Sequence, residues 1–149
     1  MRTLINPFAV FVFVIALAAP VWAEKVNMSP KTLHKLATHV VTGEATAIYE
    51  RTEKKGAWKY THCVVEIRVK ESEKGNGIQK GNLIYARYWH RKWSSLLRLP
   101  PSTNGHRGLP KKGDRLRFYL ARNAYDGFTN ENNDGGFNVI GANGFERLK

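Results

Sequence analysis

Trp58–Lys70, WKYTHCVVEIRVK, is the stretch whose pattern decides the fold. Cys63, Val65, Ile67 and Val69 recur at every second position, with His62, Glu66 and Arg68 among the residues between them. Successive side chains of an extended chain point to opposite faces, so a period of two predicts a half-buried β-strand whose Cys/Val/Ile face meets a core. Cys63 is the chain's one cysteine, which excludes an intrachain disulfide framework and any multi-cysteine zinc or iron–sulfur site. Lying in phase with the valines, it is expected to be buried and inert, because a free thiol packs as a small hydrophobe.

Working outward, Arg51–Ala57 (RTEKKGA) reads as a polar hairpin loop turning at Gly56. Before it, His39–Glu50 carries Val40, Val41, Ala45, Ala47, Ile48 and Tyr49 around Gly43, the pattern of a bent or bulged strand. Glu71–Gly81 is a charged, glycine-containing loop. Asn82–Trp93 (NLIYARYWHRKW) and Asp114–Asn123 (DRLRFYLARN) read as a third and a fourth strand. Each of these two is introduced by the same turn chemistry, Lys80-Gly81-Asn82 and Lys112-Gly113-Asp114. Ser94–Pro110, with Pro100, Pro101, Gly105, Gly108 and Pro110, is too irregular for a strand, and loops of that length are often functional. Gly136–Ile140 and Phe145–Leu148 complete the set as a final or split strand around Asn143-Gly144.

Toward the N-terminus, Ser29-Pro30 has the form of a helix start, with Ser29 as N-cap and Pro30 in the first helical position. Leu33, Leu36 and Ala37 form its apolar stripe, and Met28 and Leu33 occupy the positions of a hydrophobic staple. The helix should end near Thr38, and so short a helix needs the body of the domain to hold it.

The fold class expected from these elements is mainly β: a five-stranded antiparallel OB-like barrel with a short N-terminal helix, a small sandwich being the alternative. Closure would remove the unpaired strand edges that an open sheet leaves. The expected organisation is a signal peptide at 1–23, a tail and helix at 24–38 and the barrel at 39–149. Arg2, the twelve-residue apolar run Phe8–Ala19 and the small residue Ala23 before Glu24 are the parts of a secretory signal cleaved after Ala23. That run is shorter than the roughly 20 residues of a membrane-spanning helix, so cleavage is favoured over an uncleaved anchor. The expected product is secreted or periplasmic, with no membrane span after cleavage.

Charge narrows the function classes. The chain carries 24 Lys and Arg against 12 Asp and Glu, a formal net charge of +12. Such a surplus favours polyanions as partners, although it also serves solubility.

The order of a Val-Val-x-Gly first strand, a long Val/Ile second strand, Lys-Gly-Asn before a third and Lys-Lys-Gly-Asp before the fourth resembles the netrin-type OB barrels. These include the tissue inhibitors of metalloproteinases and small secreted bacterial proteins of that shape. The likeness covers Val40 to Leu148. In those inhibitors an N-terminal cysteine chelates the target's zinc and disulfides pin the barrel; here the expected mature N-terminus is Glu24 and the cysteine is internal. The resemblance therefore implies the fold and not the inhibitory activity.

Tyr85–Trp93 is the most unusual segment. Alternation puts Tyr85, Arg87, Trp89, Arg91 and Trp93 on one face. Burying two unpaired guanidiniums would cost several kcal/mol, so this face should point outward and take its rings with it. Exposed rings interleaved with arginine suit a single-stranded nucleic acid or a sugar chain. Arg115, Arg117 and Tyr119 of the fourth strand are expected to extend the surface, as are Tyr60, His62 and Arg68. The alternative is that Trp89 and Trp93 are capped by the 94–110 loop or the helix, with arginine stems packed over them.

Other constellations are weaker. Asn130, Asn132, Asp134 and Gly135 match the first half of an EF-hand loop, but Gly141 stands where the bidentate Glu belongs, so a polar turn explains them. No pair among the five histidines has zinc-protease spacing. Glu44, Glu50, Glu66 and Asp114 could converge on a divalent ion only if the fold brought them together.

The reading is thus a secreted, non-catalytic binding module for an extended anionic ligand, a polyanion or polysaccharide (glycan or nucleic acid), with no catalytic residue, metal or cofactor assigned. A small secreted metal-dependent hydrolase or nuclease is one alternative. A module docking a protein partner through the same strand is the other.

Overall fold

The computed structural model describes residues 26–94, 105–122 and 136–148. The expected signal segment, most of the 94–110 loop and the Asn130–Gly135 half of the calcium-like pattern lie outside these residues.

Strands β1 (His39–Lys55) and β2 (Trp58–Lys74) form a hairpin of two seventeen-residue arms, with Lys55 opposite Trp58. Only Gly56 and Ala57 remain for the turn, and Gly56 adopts φ +60°, as the first residue of a primed hairpin turn requires. Arg51–Lys55, expected as loop, therefore belong to β1. They carry no apolar alternation, and their extended state comes from cross-strand pairing with Trp58–His62. β3 (Leu83–Trp93) lies antiparallel on β2, from Arg68 opposite Leu83 to Trp58 opposite Trp93.

β4 (Arg115–Ala121) pairs antiparallel with the other edge of β1, over His39–Glu44. The final strand is split: β5 (Phe137–Val139) and β6 (Phe145–Arg147) both pair antiparallel with β4, at Leu120–Ala121 and Leu116–Phe118 respectively. β5 also runs parallel to β3, with Ala86 opposite Phe137. The pairings thus trace a ring of five strands, β1–β2–β3–β5–β4–β1, with β6 beside β4. Among the described residues the protein is mainly β with one short helix, and its six-stranded sheet is mixed rather than antiparallel throughout. Parity explains the exception: strand directions alternating round a ring of five must repeat once, and they repeat at β3–β5.

β1 can serve both neighbours because it bends. Its register with β2 shifts at Val40/Val41, Thr42/Gly43 and Ala45/Ala47. A Cβ on Gly43 would stand 2.7 Å from both the Arg68 carbonyl oxygen and Ile67 Cγ2, so only glycine lets the two backbones approach this closely.

Two apolar clusters result. Val41, Ala45, Val65, Ile67, Leu116, Phe118 and Leu120 are fully buried in the larger one, with Cys63, Ala86 and Tyr88. Helix α1 (Pro30–Leu36) closes the smaller, in which Leu33 and Ala37 pack with Val40, Tyr119, Ala121 and Ile140. Ser29 Oγ accepts from the Thr32 backbone N–H at 3.1 Å, and Met28 packs against the cluster that holds Leu33. Leu36, assigned to the apolar stripe by its spacing, is exposed. Among the described residues, no helix is long and apolar enough to cross a membrane.

Candidate polyanion-binding face

Reading straight across β1, β2 and β3 gives five rows on the outward face of the meander. They are Lys55–Trp58–Trp93, Glu53–Tyr60–Arg91, Arg51–His62–Trp89, Tyr49–Val64–Arg87 and Ala47–Glu66–Tyr85. Every member of the Tyr85–Trp93 stripe lies in them, while Ile84, Ala86 and Tyr88 enter the core. Tyr85 is 45% exposed; Arg87, Trp89, Arg91 and Trp93 are half-buried.

The partial burial has identifiable causes. The Arg91 guanidinium stacks 4.1 Å above the Trp58 ring, and its Nη1 donates to the Tyr60 hydroxyl at 3.1 Å. Trp58 meets Trp93 edge-to-face at 4.8 Å. Trp89 is flanked by the chain at Gly105-His106: a Cβ on Gly105 would touch the Trp89 ring at 2.8 Å, and the His106 N–H donates to the Trp89 carbonyl. Residues of the 94–110 segment named in the capped alternative therefore flank Trp89, and the stacked arginine is present as a guanidinium lying over Trp58 rather than as a stem over Trp89 or Trp93.

Two depressions adjoin along this face. One, of about 530 Å³, is lined by Tyr49, Arg51, His62, Val64 and Arg87 among others. The second, of about 560 Å³, includes Val64, Tyr85, Arg87, Arg122 and Phe137. Val64 and Arg87 belong to both, so three guanidiniums line one continuous trough across β2 and β3. Glu50 is the acid that lines it; two further acids of the outward rows, Glu66 and Glu53, are engaged by neighbours. Glu66 accepts from the hydroxyls of Thr46 (2.6 Å) and Tyr85 (3.0 Å), which hold its carboxyl below the usual carboxylate range, and the Glu66 carboxylate in turn pushes the Tyr85 phenol up. Glu53 meets Lys55 and His62, each at 2.9 Å, and is likewise held low.

On the inward face, the tip of the meander carries a different row, Lys54–Lys59–Lys92, all three exposed. Like charges directly opposite one another in a sheet destabilise it, and this row has two such contacts in succession. Sequence reasoning missed it because Lys54 was read as loop. The extended state of Arg51–Lys55 is the signal needed, and with it the three lysines fall into register.

The fourth-strand residues are elsewhere. β5 stands between β3 and β4, so Arg115, Arg117 and Tyr119 do not adjoin the Tyr85–Trp93 stripe within the sheet. Tyr119 is 3% exposed, packed in the α1 cluster with its hydroxyl donating to Glu146 at 2.8 Å. Arg117 bridges Glu73 (2.8 Å) and Glu146 (3.1 Å), and the two carboxylates raise its already high pKa. Arg115 is exposed beside Thr42, Lys70 and Leu148. Arg117 and Tyr119 thus tie β4 to β6 through Glu146, and the three residues lie apart from the trough.

Nor do the four acids considered for a divalent ion converge. Glu66 faces outward, whereas Asp114 accepts from the Lys111 N–H and Arg147 Nη1, both at 2.8 Å. Among the described residues, Glu44, Glu50, Glu66 and Asp114 form no common cluster. Cys63 is 2% exposed, and burial pushes its thiol up to about 11. No family model, curated protein or solved structure matches the chain.

Proposed function

We propose that this protein is an exported, OB-like barrel that binds an extended anionic polymer, a glycan or a nucleic acid strand, without catalysing its turnover. The observation that carries this reading is the trough of Arg51, Arg87 and Arg122 across the outward face of β2 and β3, floored by Val64 and bordered by Tyr49 and Tyr85. Guanidiniums spaced along a groove suit the repeating charges of a polymer, and exposed rings offer stacking surfaces. The five-stranded ring supports the OB-like assignment, and in that fold the second and third strands with the first hairpin form the usual ligand face. The Lys54–Lys59–Lys92 row lies on the opposite face of the same hairpin's tip, where a polymer passing round that tip would offset a repulsion the fold otherwise bears.

Intrinsic fluorescence tests the reading directly. Three of the chain's four tryptophans, Trp58, Trp89 and Trp93, lie on the outward face. Titration with a single-stranded oligonucleotide and, separately, with a sulfated polysaccharide should change the emission and give affinities that fall steeply with salt. Whichever polymer binds more tightly identifies the ligand class. Absence of any salt-sensitive binding to either would remove the proposal.

A further inference from the structure

Beyond the apolar row Ile48–Val65–Ala86, the inward face of the meander turns polar. Its next rows are Glu50–Cys63–Tyr88 and Thr52–Thr61–His90. Cys63 is thus directly opposite Glu50, and His90 sits diagonally one row further on. The ligand-capable atoms of Glu50, Cys63 and His90 all lie within 4.8 Å of one another, the one such group among the described residues. Three adjacent, hydrogen-bonded strands each contribute one member, so the backbone fixes their spacing.

The donor set is selective. One sulfur, one imidazole nitrogen and one carboxylate oxygen suit zinc and related divalent ions, whereas calcium and magnesium want sites built from oxygen alone. Ligand atoms on a shared tetrahedral zinc stand roughly 3.2–3.7 Å apart, given metal–ligand distances of about 2.0–2.3 Å. A bound of 4.8 Å leaves about 1 Å to be taken up, and Glu50, exposed on β1, has the side-chain freedom to do so. We infer that this protein binds one zinc-class divalent cation through Cys63 Sγ, a His90 ring nitrogen and a Glu50 carboxylate oxygen, leaving a fourth position open to water. The three residues alternate with Arg51, Val64 and Arg87 along their strands, and Glu50 and Cys63 also line the depression of about 530 Å³; the inference does not depend on the polymer-binding reading.

Cobalt(II) is the probe, because a cobalt–thiolate bond absorbs in the near ultraviolet and tetrahedral cobalt is coloured. The full chain, stripped with a chelator, should bind one Co²⁺ with both features, and Zn²⁺ should displace it. Cys63→Ser should abolish the charge-transfer band, while E50Q and H90A should each weaken Co²⁺ binding by about tenfold or more. E50Q alters an exposed side chain and so remains informative if the buried Cys63 substitution fails to fold. No charge-transfer band at excess Co²⁺ would overturn the inference. So would a band whose affinity is unchanged in both E50Q and H90A, since that is a bare thiolate adduct.

Discussion

Lys59 stands in the middle of the lysine row, opposite Lys54 on one side and Lys92 on the other, so replacing it with glutamine removes both repulsive contacts while keeping most of the stem. A directly opposed like-charge pair costs from a few tenths to about 1 kcal/mol. All three lysines are exposed, so solvent screening places each contact at the low end and the total relief near 0.5 kcal/mol. For a domain of this size that raises the melting temperature by about 2–4 °C at low salt. The gain should vanish near 1 M salt, where the screening length shrinks to about 3 Å. Binding should move the opposite way, with the log–log salt slope for a single strand falling by about 0.7 as one phosphate contact is lost. Thermal melts at two salt concentrations and anisotropy titrations with a labelled strand measure the two effects on one sample. A purely structural lysine would destabilise on replacement and leave binding alone. Lower stability of K59Q at low salt, or a wild-type affinity and slope, would refute the reasoning.

Two further outcomes test the architecture. Gly43→Ala drives a methyl into the Arg68 carbonyl and Ile67, both 2.7 Å away, and should destabilise the protein by about 1–3 kcal/mol; an unchanged midpoint in guanidinium denaturation would show that β1 and β2 are not so close there. The Tyr119 hydroxyl, then Arg117, holds the Glu146 carboxyl below its ordinary value of 4.5, and Asp114 is held low by the Lys111 N–H and Arg147. A carboxyl depressed in the folded state binds fewer protons there than when unfolded, so it stabilises above the unfolded pKa and loses that contribution as pH falls through the folded one. E146Q should therefore be less stable than wild type at neutral pH, with the gap closing below about pH 4; a gap independent of pH would exclude the carboxylate as its source.

How much of the fold was legible depended on which force set each element. Val65, Ile67 and Val69 are strand residues because one face is buried, and burial leaves a period of two in the sequence. The Ser29 cap and Pro30 start leave local signs of the same kind. Arg51–Lys55 and Glu71–Lys74 are extended for another reason, their pairing with a partner strand, and pairing leaves no trace in the hydrophobicity of the residues that do it. The parallel contact between β3 and β5 is a consequence of closing an odd ring and has no local sequence correlate at all. Given five strands, closure and hairpin connections between the first three, parity requires a parallel pair among the remaining contacts, and only the structure says which one it is.

The site divides along the same line. Arg87 and Arg91 were placed outward by the cost of burying a guanidinium, a penalty each residue carries wherever it sits, and Trp89 and Trp93 followed by alternation. Arg117 and Tyr119 obey the same alternation on β4, yet their outward positions are occupied by interactions from distant sequence. Tyr119 sits under α1, and Arg117 is held between Glu73 of β2 and Glu146 of β6. Alternation says which way a side chain points and nothing about what the chain later lays over it. The lysine row illustrates the converse, since Lys54, Lys59 and Lys92 are unremarkable singly and become a concentrated charge only through register. A charge concentration created by register alone, at a cost to the sheet, has the character of a binding feature: the repulsion is present whether or not a ligand is bound, and an anion lying along the row is what would relieve it.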